Sequence, residues 1–447
     1  MTVQFLLDKM SELSTQEAVA VGSNIITYGE LLEKYHDWLN WIDSESIKSG
    51  EVVSIKSDYS ADSISLFLAL TQNRNIIVPL SNDSKAHFET FCDIAQNQYD
   101  IILSDGNTQL TKTGNQAEHP LYKVLHEKNS PGLVLFSSGS TGKSKAIFHD
   151  LSQLLNKFTV PRKMMRTLAF LQFDHIGGVN TLLYTLANGG TAVVPSERTP
   201  ESVCEAIEKH RVEVLPTSPT FINLLLLSGA ADNTDLSSLK LITYGTETMP
   251  DSTLAAITAR FPETKLLQTY GLSEVGILRS KSRDSQSLWV KVGGAEFETK
   301  IVDGRLWIKS ESAMLGYLNA PSPFDQEGFL DTGDQVEQDG EWLKILGRQS
   351  EIINVGGEKV YPAEVESVVL EMPGVEDAAV YSSPHAITGM IVAIEVKLNT
   401  DETLSEFKVR LRLHCAGRLP AYKVPKRITL IDSYTHNARF KRMRKRL

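Results

Sequence analysis

Residues 135–150 read LFSSGSTGKSKAIFHD, with two glycines, four serines, a threonine and two lysines around a short apolar run. Leu133 to Phe136 reads as a buried strand. The Ser/Gly/Thr stretch behind it can turn backbone N–H groups and hydroxyls onto phosphate oxygens. A Walker A loop needs a glycine five positions before Gly142-Lys143-Ser144, and Ser137 stands there instead. A serine-nucleophile motif S-x-x-K spans Ser140 to Lys143, but its companion KTG, at Lys112 to Gly114, precedes the serine and no SDN exists. The stretch therefore reads as a phosphate loop of another kind.

Such a loop must be carried by an alternating framework, and one is visible. EVVSIK at 51–56 reads as a strand, ADSISLFLALTQN as a helix and NIIVPL as a strand again. The same rhythm recurs in TAVVP from 191, in VEVLPTSPTFINLLLL from 212 and in LKLITYG from 239. Past about residue 300 short strands such as GRLWIKS and EWLKILG alternate with Gly and Asp turns. From Glu351 a compact pattern begins: strand EIINV, a Gly-Gly turn, a helix opened by Pro362, and strands VEDAAVYS and MIVAIEVKL. Leu404, Phe407, Leu411 and Cys415 then fall at helical spacing until Gly417 and Pro420. The expected division is a large N-terminal α/β domain, 1–346, of several subdomains, and a small α+β domain, 347–447.

Composition narrows the function. At 447 residues one core is not expected. The excess of 55 acidic over 45 basic side chains, net charge −10, argues against nucleic acid or an anionic membrane as partner. Cys92, Cys204 and Cys415 are far apart and form no CxxC, which fits a reducing compartment. The ten histidines contain no H-x-x-x-H zinc pair. Asp8, Lys9 and Glu12 interrupt the place of a signal peptide, so a cytoplasmic protein without membrane insertion is expected.

The phosphate loop closely resembles the [ST]-S-G-[ST]-T-G-x-P-K-G signature of the adenylate-forming superfamily, with Ser144 for the proline and Ala146 for the last glycine. This superfamily holds acyl-CoA and aryl-CoA synthetases and the adenylation domains of peptide synthetases. Further landmarks follow in order: TYGEL at 27–31, YGLSE at 270–274, MLGYLNAP from 314, DTGD at 331–334 and GRQSEIINVGGEKVYPAEVE from 347. The resemblance thus covers essentially the whole chain and implies an acyl-CoA synthetase-like fold with a mobile C-terminal domain.

It also implies roles. A carboxylate is a poor electrophile, and coupling it to AMP makes a mixed anhydride; the charge built on the phosphates must be neutralised. By resemblance Ser137, Ser138, Gly139, Ser140, Thr141, Gly142 and Lys145 hold the phosphates of ATP, and Glu274 helps place Mg²⁺. Gly245, Thr246 and Glu247 would form the strand-end loop beside adenine, on which Tyr270 stacks with Gly271 and Ser273 close by. Asp334 and Arg348 would bind the ribose. LQFDHIGG at 171–178 resembles the family's acyl-pocket segment and puts His175 and Gly177 at its edge; the rival reading is a Phe173-Asp174 pair that binds a substrate ammonium.

The chain departs from the pattern again in its C-terminal domain. The family's terminal catalytic lysine corresponds to Lys441 in NARFKRMRKRL, where Phe440 replaces a glycine; Arg439 is the alternative if the register slips. The hinge residue, usually Asp or Lys, is Ser350. Gly356 and Gly357 match the loop beside the thiol tunnel. The resulting reading is ATP-dependent activation of a small carboxylic acid, then transfer to coenzyme A. The alternative acceptor is the phosphopantetheine of an acyl carrier protein.

Overall fold

The computed structural model describes residues 3–104, 106–137, 144–433 and 436. Two seven-stranded sheets dominate the N-terminal part. One runs through Lys265–Gln268, Leu241–Tyr244, Val214–Thr217, Arg166–Leu168, Thr191–Val194 and Glu17–Val21 as parallel neighbours, with Asn24–Thr27 antiparallel at its edge. The other has Val52–Lys56, Ile76–Leu80, Tyr99–Ser104 and Gly132–Ser137 parallel, extended by antiparallel strands on both sides. A six-stranded antiparallel sheet spans Arg279 to Arg348. The mixed α/β architecture expected from the sequence is thus observed.

The parallel strands are apolar on both faces, as sheets covered on both sides must be. Ile76–Leu80 is buried throughout. Helices Ala61–Gln72 and Ile176–Ala187 are buried along most of their length, so both sit between layers and are not surface coverings. The TYGEL segment shows why it starts a helix. Thr27 accepts from the Glu30 amide and the Glu30 carboxylate accepts from the Thr27 amide at 2.7 Å, a reciprocal cap. Tyr28 is fully buried and donates its hydroxyl to the Gly190 carbonyl at 2.6 Å.

The C-terminal part is a separate domain, with its own five-stranded sheet and its own core of Val365, Val369, Phe407, Leu411 and Cys415. Pro362 opens its first helix, Pro362–Leu370, and a Thr403–Glu406 capping box opens the second, Leu404–Cys415. The strand expected over 351–355 is shorter than the sequence suggests. A 3₁₀ turn takes Gln349–Glu351, closed by the Ile352 amide on the Gln349 carbonyl, and the strand begins at Ile353. The domain touches the N-terminal part through the Ser252 amide on Ser367 Oγ, 3.1 Å, and Asn223 Nδ2 on the Glu376 carbonyl, 3.0 Å. All three cysteines are buried and free. Among the described residues no helix is long and apolar enough to cross a membrane.

The second glycine of HIGG is a packing requirement. A Cβ on Gly178 would lie 1.8 Å from the Gln172 carbonyl oxygen, a contact that only backbone movement can relieve. Gly178→Ala is therefore expected to destabilise the N-terminal part by at least about 2 kcal/mol, the upper range for overpacking. Urea denaturation of the variant against the parent checks this, and an unchanged midpoint would contradict it.

Candidate active site

A cavity of about 940 Å³ opens at the C-terminal ends of the parallel strands. That is where open α/β sheets place their ligands. The phosphate loop itself, with Ser138, Gly139, Ser140, Thr141 and Gly142, lies outside the described residues, but both of its ends are on the cavity wall. Ser137 closes the strand Gly132–Ser137, Lys145 opens the strand Lys145–Asp150, and the two face each other across the ladder. The Lys145 ammonium stands 4.7 Å over the ring of Tyr317.

Tyr317 comes from the MLGYLNAP segment, to which the sequence assigned no role. Gly316–Tyr317 pairs antiparallel with Phe148 and Ile147, and the Leu315 and Leu318 amides donate to the Phe148 and Ala146 carbonyls at 2.7 and 2.9 Å. The Tyr317 hydroxyl then donates to Glu274 Oε1 at 2.7 Å. Glu274 also lines the cavity, and a carboxylate is a hard donor that suits Mg²⁺. Its backbone is held too, since the Met314 amide donates to the Glu274 carbonyl at 2.8 Å.

On the nucleotide side, Gly245, Thr246, Tyr270, Gly271 and Ser273 share the wall. A Cβ on Gly245 would meet Thr269 Oγ1 at 2.6 Å, so the strand end packs against its neighbour only as glycine. Thr246 follows in the left-handed region at φ +72°, strained for a β-branched residue and located at the cavity mouth. Glu247 is not on the wall; it accepts from Thr220 Oγ1 at 2.6 Å.

Arg348 lines the cavity, whereas the Asp334 carboxylate lies behind a wall made by Asp331, Thr332 and Gly333. Asp334 accepts from the Tyr270 hydroxyl at 2.5 Å and sits 3.7 Å from Arg348 Nε. Burial pushes its carboxyl above the usual carboxylate range, against the pull of Arg348 and Tyr270. The same burial, with the adjacent carboxylate, raises the Tyr270 phenol well above its ordinary value.

His175 and Gly177 are on the wall, and His175 Nδ1 accepts from the Gly177 amide at 3.1 Å, capping the helix Ile176–Ala187. Asp174 points elsewhere. It is 3% exposed and accepts from Ser84 Oγ at 2.6 Å and Ser81 Oγ at 2.8 Å, a buried network away from the cavity lining. Ser350 lines the cavity, while Gly356 and Gly357 sit in an exposed turn that does not reach it in this arrangement. Lys441 and Arg439 lie outside the described residues.

Comparison with known proteins places this site in a family. The AMP-binding enzyme model matches residues 89–318, just over half the chain, and the AMP-binding enzyme C-terminal domain model matches 364–441. The chain belongs to the AMP-binding enzyme family, within the adenylate-forming superfamily. This AMP-binding enzyme is 31% identical, over 68% of its length, to a methyl-dioxo-octahydroindenyl-propanoyl:CoA ligase of Mycobacterium tuberculosis. It is 27% identical, over 69% of its length, to the indoleacetate–CoA ligase of Aromatoleum aromaticum. Those alignments span 63% and 65% of the relatives' own lengths. Its fold matches an anthranilate CoA ligase solved with anthranoyl-AMP, at TM-score 0.81 and 19% identity over 99% of this chain and 95% of that one. ATP-bound MatB from Rhodopseudomonas palustris matches at 0.79 and 21% identity, over 98% and 97%.

One buried imidazole links the strand after the phosphate loop to the YGLSE segment of the AMP-binding enzyme. His149, fully buried on the strand after the phosphate loop, donates from Nε2 to the Ser273 carbonyl at 2.7 Å. Burial lowers its pKa from 6.5 to about 4, so the ring is neutral at pH 7. Below pH 6.5 the unfolded chain takes up a proton that the folded chain refuses until about pH 4, so stability falls with pH across that window. The loss is expected to reach about 3 kcal/mol at most. Urea midpoints at pH 7, 5.5 and 4.5 should drop more steeply for the parent than for His149→Gln, and parallel curves would contradict the assignment.

Proposed function

We propose that this AMP-binding enzyme activates a carboxylic acid with ATP, releasing pyrophosphate, and transfers the acyl group from the acyl-adenylate to the thiol of coenzyme A. The observation that carries the reading is a single cavity walled by both ends of the phosphate loop, Glu274, the Gly245–Thr246 strand end, Tyr270 and Arg348, with an uncharged extension beyond His175. The curated relatives named as CoA ligases support the acceptor.

In the first step a carboxylate oxygen attacks the α-phosphorus of ATP and pyrophosphate leaves. Lys145 and Arg348, both on the cavity wall, would offset the phosphate charge as it shifts. Glu274, oriented by Tyr317, would hold Mg²⁺, which supplies additional neutralisation of the polyphosphate when bound. Lys441 would complete the adenylation site, reaching the carboxylate and α-phosphate. In the second step the thiolate sulfur attacks the acyl carbon and AMP leaves.

These two steps need different faces of the small domain, residues 347–447. The domain would turn about Ser350, whose place in a short 3₁₀ turn between two sheets leaves few bonds to break. The turn would withdraw Lys441 and bring the Gly356–Gly357 hairpin, now outside the cavity, to the thiol's path.

A pyrophosphate-release assay with ATP, Mg²⁺ and a panel of fatty, aryl and amino acids, with and without coenzyme A, tests this. Turnover that requires coenzyme A and yields AMP is the expected result; acid-dependent release indifferent to coenzyme A would transfer the proposal to a carrier-protein acceptor. Lys441→Ala should nearly abolish adenylate formation yet leave thiolysis of supplied acyl-adenylate largely intact. Glu274→Gln should lower adenylation about 100-fold, the scale of losing one electrostatic stabiliser. If Arg439→Ala and not Lys441→Ala stops adenylation, the terminal register is shifted by two.

A further inference from the structure

The uncharged extension of the cavity has a graded wall. One side is the helix Ile176–Ala187, which presents Gly177, Asn180, Thr181 and Tyr184, the i, i+3, i+4 and i+7 positions of one face. The other side is the sheet, which presents alternate residues: Thr243 and Leu241 on one strand, Pro216 and Val214 on the next. Register puts Pro216 beside Thr243 and Val214 beside Leu241, so the sheet side is built in rows.

The two sides run in opposite directions, because the helix links the parallel strands Arg166–Leu168 and Thr191–Val194. Depth from the nucleotide end can therefore be read on each. Along the helix, Asn180 lies about 4.5 Å below Gly177 and Tyr184 about 10 Å below it. Along the strand, Thr243 lies about 7 Å below Gly245 and Leu241 about 13 Å below it. Both walls thus put neutral hydrogen-bonding groups at middle depth, namely Asn180, Thr181 and Thr243. Below them the lining turns mainly apolar, with Leu241, Val214 and Met165, although Thr167 stands in register with Val214 and Tyr184 lies on the helix side.

The side-chain amide of Asn180 and the hydroxyls of Thr181 and Thr243 bond to no described protein group, and all three residues are partly accessible. Among the described residues, no charged side chain lines the cavity at this depth or below it; Lys145, Glu274, Asp331 and Arg348 belong to the nucleotide end. A second carboxylate or an ammonium at the depth of Asn180 and Thr243 would meet no counter-charge on the lining and would give up hydration for neutral groups alone. A plain hydrocarbon chain would strip water from an amide and two hydroxyls and return no hydrogen bond.

Resting on the ligase reading above, we propose that the acid is a monocarboxylate of medium chain length that carries a neutral oxygen substituent, a hydroxyl or carbonyl, part-way along the chain. Asn180 can donate to either and accept from a hydroxyl, and Thr243 can do the same from the opposite wall. With about 1.3 Å of advance per carbon from tetrahedral C–C geometry, the polar belt meets roughly the third to fifth carbon and the apolar floor holds the next several.

The test compares decanoate with 3-hydroxy-, 5-hydroxy- and 3-oxodecanoate and with the ten-carbon dicarboxylate. It measures kcat/KM for pyrophosphate release, and calorimetric Kd for the matching non-hydrolysable acyl-sulfamoyl adenosines. At least one oxygenated acid should exceed decanoate by about tenfold or more in both measures, the dicarboxylate should be worst, and the hydroxy and oxo arms identify the oxygen. Asn180→Leu should bring the oxygenated-to-plain ratio to one or below. Equal ratios in the parent, or a ratio that Asn180→Leu and Thr243→Val both leave intact, overturn this inference while turnover upholds the ligase reading. Discrimination in Kd with no pyrophosphate released from any acid overturns the ligase reading and upholds the pocket; analogues that do not bind overturn the inference.

Discussion

The site depends on a strand pairing only two residues long. Gly316–Tyr317 adds to the edge of the second sheet beside Phe148 and Ile147, and Tyr317 then meets two charged groups of the cavity wall. Lys145 stands over the Tyr317 ring and Glu274 accepts from the Tyr317 hydroxyl, so one phenol touches both a cation and an anion of the cavity wall. Asn319 continues the clamp, accepting from the Ala146 amide and donating to the Ser144 carbonyl, both at 2.9 Å, next to the phosphate loop.

Around that clamp the electrostatics are arranged by burial. His149 is kept neutral, so it can donate one hydrogen bond to the Ser273 carbonyl without adding a positive charge beneath the motif that bears Glu274. Asp334 and Tyr270 form a buried pair in which the phenol donates to the carboxylate, with the exposed Arg348 at its edge. A buried carboxylate held this way is costly to disturb, because removing either partner leaves charge or donor unsatisfied. The cluster fixes the strand pair Asp334–Arg348, which is the last ladder contact before the turn at Ser350.

The acid end is governed by packing. Gly178 lets the helix Ile176–Ala187 approach the Gln172 carbonyl, and the gap that remains between this helix and the sheet is the extension that a substrate can enter. Asp174, two residues before the helix, is consumed in bonds to Ser81 and Ser84 and ties the helix to the other sheet. This use of Asp174 leaves no anion facing the cavity from that segment and sets aside an ammonium-binding role for the Phe173-Asp174 pair.

The sequence by itself determined the α/β rhythm, the strand on each side of the phosphate loop, the small C-terminal domain and the order of the motifs, because these are set by local patterns: apolar periodicity, caps such as Thr27–Glu30, and turns at glycine. It also marked part of the cavity wall, since Lys145, Gly245, Tyr270, Glu274 and Arg348 fall inside short motifs. Only the tertiary structure decided which motif residues face the cavity and which stand behind it. DTGD does not reveal that Asp334 meets the Tyr270 hydroxyl, nor GTE that Glu247 accepts from Thr220 on a neighbouring helix, because those partners come from elements distant in sequence. MLGYLNAP does not reveal a bond from Tyr317 to Glu274, which lies 43 positions away in the chain. The belt of Asn180 and Thr243 is likewise invisible in one dimension: it exists because a helix and a strand of unrelated sequence are set antiparallel at one depth, a relation that packing alone creates.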